Sequence, residues 1–227
     1  MVKPDVLVFD MDGVLVDVSE SYRETVVQTV RHFSGQTIER DLIQDYKNQG
    51  GWNNDWALSQ RILRDMGHEV QYSTVVDEFN KLFLGHNGAE GLINREKWIG
   101  RPGLFEDLGR RFDLAIFSGR LRYEADITLG RYAPSVRFDP IICAEDVTLG
   151  KPEPEGLFHI AASRPGKQLL YLGDVVDDAR SARAAGVPFV GVAARNHGSR
   201  DEILRLFQEE QAVAIIEDIN QIEEVLR

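Results

Sequence analysis

The sequence predicts an α/β protein, a doubly wound parallel sheet interrupted after its first strand by an all-helical insert. Three observations predict it. Short apolar runs that end in polar residues, such as Val6-Leu7-Val8-Phe9 and Asp113-Leu114-Ala115-Ile116-Phe117, alternate with helix-patterned stretches through the second half of the chain. Four helix-patterned stretches follow one another between Ser21 and Gly85 with no strand signal among them. Polar clusters recur where the apolar runs stop, which is where open α/β sheets place their ligand crevices.

Val6-Leu7-Val8-Phe9 is apolar at every position, the mark of a strand buried on both faces. It runs into Asp10-Met11-Asp12-Gly13. Side chains two residues apart on extended chain project to the same side, so Asp10 and Asp12 face one small volume. Two like charges about 4 Å apart repel by roughly 4 kcal/mol at an effective dielectric near 20, so a compensating charge is required. Spacing alone carries no weight, because 19 aspartates in 227 residues give about 1.6 Asp-x-Asp pairs by chance. Position at a strand end does.

The insert begins after the apolar Val14-Leu15-Val16-Asp17. Ser21-Tyr22-Arg23-Glu24 has the form of a capping box, which predicts that the Ser21 and Glu24 side chains start a helix. Its apolar face is Tyr22, Val26, Val30 and Phe33, ending at Gly35; Ile38, Leu42, Ile43 and Tyr46 make a second face ending at Gly50-Gly51. Ala57, Ile62, Leu63 and Met66 make a third before Gly67, and Val75, Val76, Phe79, Leu82 and Phe83 a fourth before Gly85.

From Trp98 the alternation returns. Strands are predicted at 113–117, 141–144, 168–172, 188–192 and 213–216, and helices at 122–131, 154–163, 180–185, 200–209 and the C-terminus. The core is therefore expected to comprise 1–16 and 97–227, with a helical cap over 17–96.

The formal net charge is -11, of which -5 falls in 17–96 and -6 in the remainder, so neither part reads as a nucleic-acid binder. No apolar run approaches a membrane span or a secretory signal, and the lone Cys143 excludes an intrachain disulfide and reads as a buried strand residue. A cytoplasmic location is the expectation, with the oligomeric state left open.

Polar groups at strand ends and helix starts occur in the order Asp10 and Asp12, Ser118, Lys151, then Asp174 with Asp177 and Asp178. Carboxylates from two strand ends can hold a hard cation such as magnesium, which takes oxygen ligands and keeps room for a substrate phosphate oxygen.

These residues lie in four segments, DMDGVLVD, IFSGR, GKPEP and LGDVVDDARSARAAG, whose order and spacing resemble the motifs of the haloacid dehalogenase superfamily. The helical insert between the first two is similar to subfamily I, in the branch of phosphoglycolate phosphatase and β-phosphoglucomutase. The resemblance implies a Rossmann-like core and a Mg2+-dependent phosphatase that hydrolyses a small phosphorylated metabolite through an aspartyl phosphate. In that reading Asp10 is the nucleophile and Asp12 the proton donor and acceptor. Magnesium is held by Asp10, the backbone carbonyl of Asp12 and Asp174, with Asp178 as the second acidic position of the fourth motif and Asp177 supporting it. Lys151 and Ser118, with the Gly119 amide, bind the phosphoryl oxygens; Arg120 is a further candidate phosphate contact whose simplest place, at a strand end, is in solvent.

The branch carries a specificity loop about forty residues after its nucleophile, here Gly50 to Trp56, which makes Trp52 and Asn53 candidate substrate contacts. The same residues also suit an ordinary helix–helix turn. The loop lacks the arginine of the mutases, and Tyr22 stands near their cap histidine, which disfavours a phosphomutase. Lys47, the nearest match to the Schiff-base lysine of the phosphonatases, reads as a helix-surface charge. A non-catalytic phosphoryl-binding module is the reading from another class. Asp12 and the cap argue against it, since such a module needs neither a leaving-group acid nor a lid.

Overall fold

The computed structural model describes residues 3–195 and 199–226. The chain divides into two compact units, one running to Val16 and resuming at Trp98, the other Asp17–Lys97.

The first unit is a six-stranded parallel sheet. In chain order the protein forms β1 (Val6–Phe9), then the two-residue strands β2 (Val16–Asp17) and β3 (Lys97–Trp98), which pair in a separate small sheet. The remaining strands are β4 (Asp113–Phe117), β5 (Ile141–Ile142), β6 (Leu169–Gly173), β7 (Phe189–Val192) and β8 (Ala214–Ile216). The sheet order is β5-β4-β1-β6-β7-β8. From β1 the chain builds outward on one side through β4 and β5, then returns to lay β6, β7 and β8 on the other. The switch point lies between β1 and β6, and the loops that follow those two strands open into its crevice.

Every residue of β1 is fully buried, as expected of a central parallel strand covered on both faces. Val6 and Val8 face one side, packed with Leu157, Ile160, Tyr171, Ala179 and Ala182. Phe9 faces the other and meets Phe105 edge-on at 5.6 Å. Each such side chain contributes roughly 1.5–3 kcal/mol through removal from water. The strands predicted at 168–172, 188–192 and 213–216 each fall within one residue of β6, β7 and β8, while the 141–144 strand shortens to Ile141–Ile142. Cys143 follows that strand fully buried, and burial pushes its thiol up to about 11.

The second unit holds the four predicted helices, α1 (Tyr22–Ser34), α2 (Arg40–Gln49), α3 (Asp55–Asp65) and α4 (Tyr72–Leu84). Its core is aromatic: Tyr22 packs on Phe83 at 4.1 Å and on Phe79 at 6.0 Å. Gly35 closes α1 in the left-handed conformation that glycine adopts without a Cβ clash, its amide donating to the Arg31 carbonyl. The capping box predicted at the start of α1 does not form. Ser21 makes no cap hydrogen bond, and Glu24 accepts instead from Gln28 and Arg40, at 2.9 and 2.8 Å. An arginine from α2 outcompetes the local backbone amide for that carboxylate, because a charge-assisted bond is the stronger one.

The core helices are α5 (Leu104–Gly109), α6 (Arg122–Tyr132), α7 (Glu155–Ser163), α8 (Val176–Ala185), α9 (Arg200–Glu209) and α10 (Ile222–Val225). Helix α8 starts four residues before the predicted Arg180, since Asp178 folds back to accept from the amides of Asp174 and Val175 at 3.1 and 3.2 Å and so nucleates the first turn. No helix among the described residues is long and apolar enough to cross a membrane.

Candidate active site

The four segments converge at the switch point of the sheet. Asp10 leaves β1 with its amide donating to the Leu172 carbonyl of β6 at 2.8 Å, so the two central strands stay paired up to the residue that carries the carboxylate. Asp174 and Asp178 follow β6. Oxygens of Asp10, Asp174 and Asp178 all lie within 4.8 Å of one another.

Lys151 provides the opposing charge. Its ammonium sits 2.7 Å from Asp10 Oδ1 and 2.7 Å from Asp178 Oδ1, above the rings of Phe117 and Tyr171 at 4.9 and 5.5 Å. Burial works against the ammonium, but Asp10 and Asp178 outweigh it and hold its pKa above the ordinary lysine value. At Asp10 burial dominates; opposed by Lys151 and reinforced by Asp178 and Asp12, it pushes the carboxyl up to about 7. With Asp174 beside Asp10 and Asp178, three carboxylates face one ammonium, which leaves an excess of negative charge.

That excess, and a donor set made only of hard carboxylate oxygens, fits a divalent cation of the magnesium type. The three aspartates are not equivalent toward it. Asp178 is fully buried and both its oxygens are engaged, Oδ1 by Lys151 and the Tyr171 hydroxyl at 2.7 Å, Oδ2 by the two amides that begin α8. Its side chain thereby ties Lys151 to the loop that carries Asp174. Asp177, also buried, lies 3.8 Å from Arg180.

Two glycines make the convergence possible. Gly13 has φ +71°, and a Cβ there would lie 2.0 Å from Asp174 Oδ2; a Cβ on Gly173 would lie 2.4 Å from the Asp178 carboxylate. A side chain at either position would displace the Asp174 or the Asp178 carboxylate.

The metal role expected of Asp12 falls on its backbone carbonyl and not on its side chain. It stands outside the three-carboxylate group, and its side chain pairs with Arg120, whose Nε and Nη2 lie 2.7 and 2.6 Å from Asp12 Oδ1. Both contacts fall on Oδ1. The solvent placement expected for Arg120 is overturned: it is 2% exposed, and its Nη1 donates to Thr128 Oγ1 at 2.8 Å. A guanidinium at this strand end finds a carboxylate and a buried hydroxyl within reach, which replace the hydration it gives up.

Ser118 is buried where β4 ends, and its Oγ accepts from the Arg120 amide at 3.2 Å; Gly119, between them, is exposed. Sequence reasoning passed over Thr128 and Tyr171. The available signal was a tyrosine in an otherwise aliphatic strand three residues before Asp174, and a threonine on the buried face of α6.

Trp52 and Asn53 belong to the other unit. Trp52 packs edge-on against Tyr46 at 5.8 Å, with the Arg61 guanidinium over its ring at 5.9 Å, so its body is part of the local helix packing. Lys47 is not the surface charge expected of it. Its side chain is 13% exposed and forms an ion pair of 2.9 Å with Asp55, across the loop that joins α2 to α3.

The sequence matches the model of the haloacid dehalogenase-like hydrolases over residues 4–186. Among relatives, it is 32% identical over 82% of its length to an imidazoleglycerol-phosphate dehydratase of Phytophthora nicotianae, of which it spans 42%. It is 24% identical over 95% of its length to a phosphoglycolate phosphatase of Pseudomonas fluorescens, covering 77% of that protein. A crystal structure assigned to a haloacid dehalogenase-like hydrolase from Bacteroides fragilis superposes with a TM-score of 0.76 at 26% identity, covering 97% of this chain and 100% of that one.

Proposed function

The chain belongs to the haloacid dehalogenase-like hydrolase family, and from that premise we propose that it is a magnesium-dependent phosphatase acting on a small phosphorylated metabolite. The observation that carries this reading is the Lys151 ammonium between Asp10 and Asp178, with Asp174 beside them, at the switch point of the sheet.

Asp10 is the nucleophile. One of its oxygens bonds to phosphorus as the bond between phosphorus and the ester oxygen breaks, and Asp12 gives its proton to that departing oxygen. Water then attacks the aspartyl phosphate, Asp12 takes the proton back, and phosphate leaves with Asp10 restored. A carboxylate approaching a phosphate dianion meets a repulsion of several kcal/mol, so the site must carry positive charge. Lys151 supplies part of it, and Ser118 with the Gly119 amide supplies donors for the phosphoryl oxygens. Asp10 and Asp174, with the carbonyl of Asp12 and with Asp178 behind them, would hold the magnesium ion, whose contribution when bound is to offset phosphoryl charge. Substrate choice is assigned to Trp52 and Asn53.

The test is release of phosphate from p-nitrophenyl phosphate and from a panel of phosphorylated metabolites. The wild-type protein is expected to turn over with magnesium and to stop when EDTA removes it, and Asp10→Asn is expected to fall to background. Wild-type rates no higher than those of Asp10→Asn would overturn the reading.

A further inference from the structure

We propose that Arg120 is a positioning residue for Asp12, fixing which of its two carboxylate oxygens is open for proton transfer. The inference rests on the phosphatase reading above. Both contacts from Arg120 fall on the same oxygen, Asp12 Oδ1. Asp12 Oδ2 has no hydrogen-bond partner among the described residues, and the Asp12 side chain keeps 30% of its surface exposed. The arginine cannot swing away. Its third nitrogen is held by the fully buried Thr128 hydroxyl of α6, and its own amide by Ser118 Oγ. A rigid planar fork tied at Thr128 thus sets the rotation of a carboxylate 108 residues away in sequence.

Rotation matters because a proton donor must lie within hydrogen-bond reach of the departing oxygen, and a displacement of about 1 Å costs on the order of 100-fold. In the first step the proton moves from Asp12 Oδ2 to the ester oxygen as its bond to phosphorus breaks. In the second it moves from water to Oδ2 as water bonds to phosphorus. Arg120 gives up no proton in either step and acts only through Asp12.

Leaving groups separate this role from a general structural one. An alkoxide needs the proton; p-nitrophenolate leaves without it. Because kcat/KM reports only the steps through formation of the aspartyl phosphate, Arg120→Lys and Arg120→Gln should lower it by roughly 100- to 1000-fold for an alkyl phosphate and by less than about tenfold for p-nitrophenyl phosphate. With the aryl ester kcat and KM should fall together, since hydrolysis of the aspartyl phosphate still needs Asp12 and the intermediate accumulates. Thr128→Val, which keeps the arginine and frees its far end, should give the same pattern at roughly 3- to 10-fold on the alkyl ester. An equal fall on both esters, or no fall on either, would overturn the proposal, and Thr128→Val decides alone if the Arg120 variants do not fold. A wild-type protein that hydrolyses neither ester overturns the phosphatase reading, and this inference with it.

Discussion

The site at the ends of β1 and β6 and the loop that joins α2 to α3 are both glycine-flanked polar segments, yet they use their polar groups in opposite ways. At the strand ends the ion pairs that involve β1's acids join distant chain: Lys151 and Asp10 are 141 residues apart, Arg120 and Asp12 108, although Asp178 also accepts from nearby amides. In the α2–α3 loop the partners are near neighbours. Asn54 caps its own helix by accepting from the Ala57 amide at 2.9 Å, Lys47 pairs with Asp55, and Trp52 packs against Tyr46 and Arg61. A segment whose polar groups are satisfied locally can be removed from its surroundings at little cost. One whose ion pairs reach across distant chain is held by the whole fold, and the fold by it.

The strongest way to break that contrast is Lys151→Met. The substitution keeps the side-chain length and removes the one ammonium between Asp10 and Asp178, leaving two buried carboxylates to repel each other. Loss of one partner from a buried ion pair destabilises by roughly 3–5 kcal/mol. Urea denaturation is expected to give a loss of that size, alongside loss of phosphate release. A loss below about 1 kcal/mol would put this pair in the class of exposed salt bridges and erase the distinction.

The contrast also explains what was legible in the sequence. The six sheet strands could be read because a central parallel strand is apolar at nearly every position, and the insert because four helical faces follow one another. The positions of Asp10, Ser118, Lys151 and Asp174 could be read because each sits just past an apolar run or just before a helix. Partner choice could not. Arg120 looks like a solvated strand-end arginine until the sheet order brings β4 beside β1 and its guanidinium beside Asp12. The Ser21 and Glu24 pair has the local pattern of a cap, but Arg40 sixteen residues on takes the glutamate. Lys47 is separated from Asp55 by a two-glycine turn whose path no periodicity encodes. In each case the error comes from the same source: local spacing fixes where a side chain starts, and the competition among distant charges fixes where it ends.

Two adjacent asparagines sharpen the comparison at its quiet end. Asn54→Ala removes the side-chain oxygen that caps α3 and should cost about 1 kcal/mol of stability, read from the midpoint of a denaturation curve. Asn53 makes no side-chain hydrogen bond among the described residues, so Asn53→Ala should leave stability within about 0.5 kcal/mol. With a role in substrate binding, the effect of Asn53→Ala falls on KM, with kcat for p-nitrophenyl phosphate unchanged, because contacts made equally in the ground and transition states alter binding alone. If the alanine at 53 proves the more destabilising of the two, the loop is built around Asn53 and its polar groups are not satisfied in the local manner described. If neither variant moves stability or KM, the loop serves only to turn the chain from α2 into α3, and selection of substrate lies with other residues.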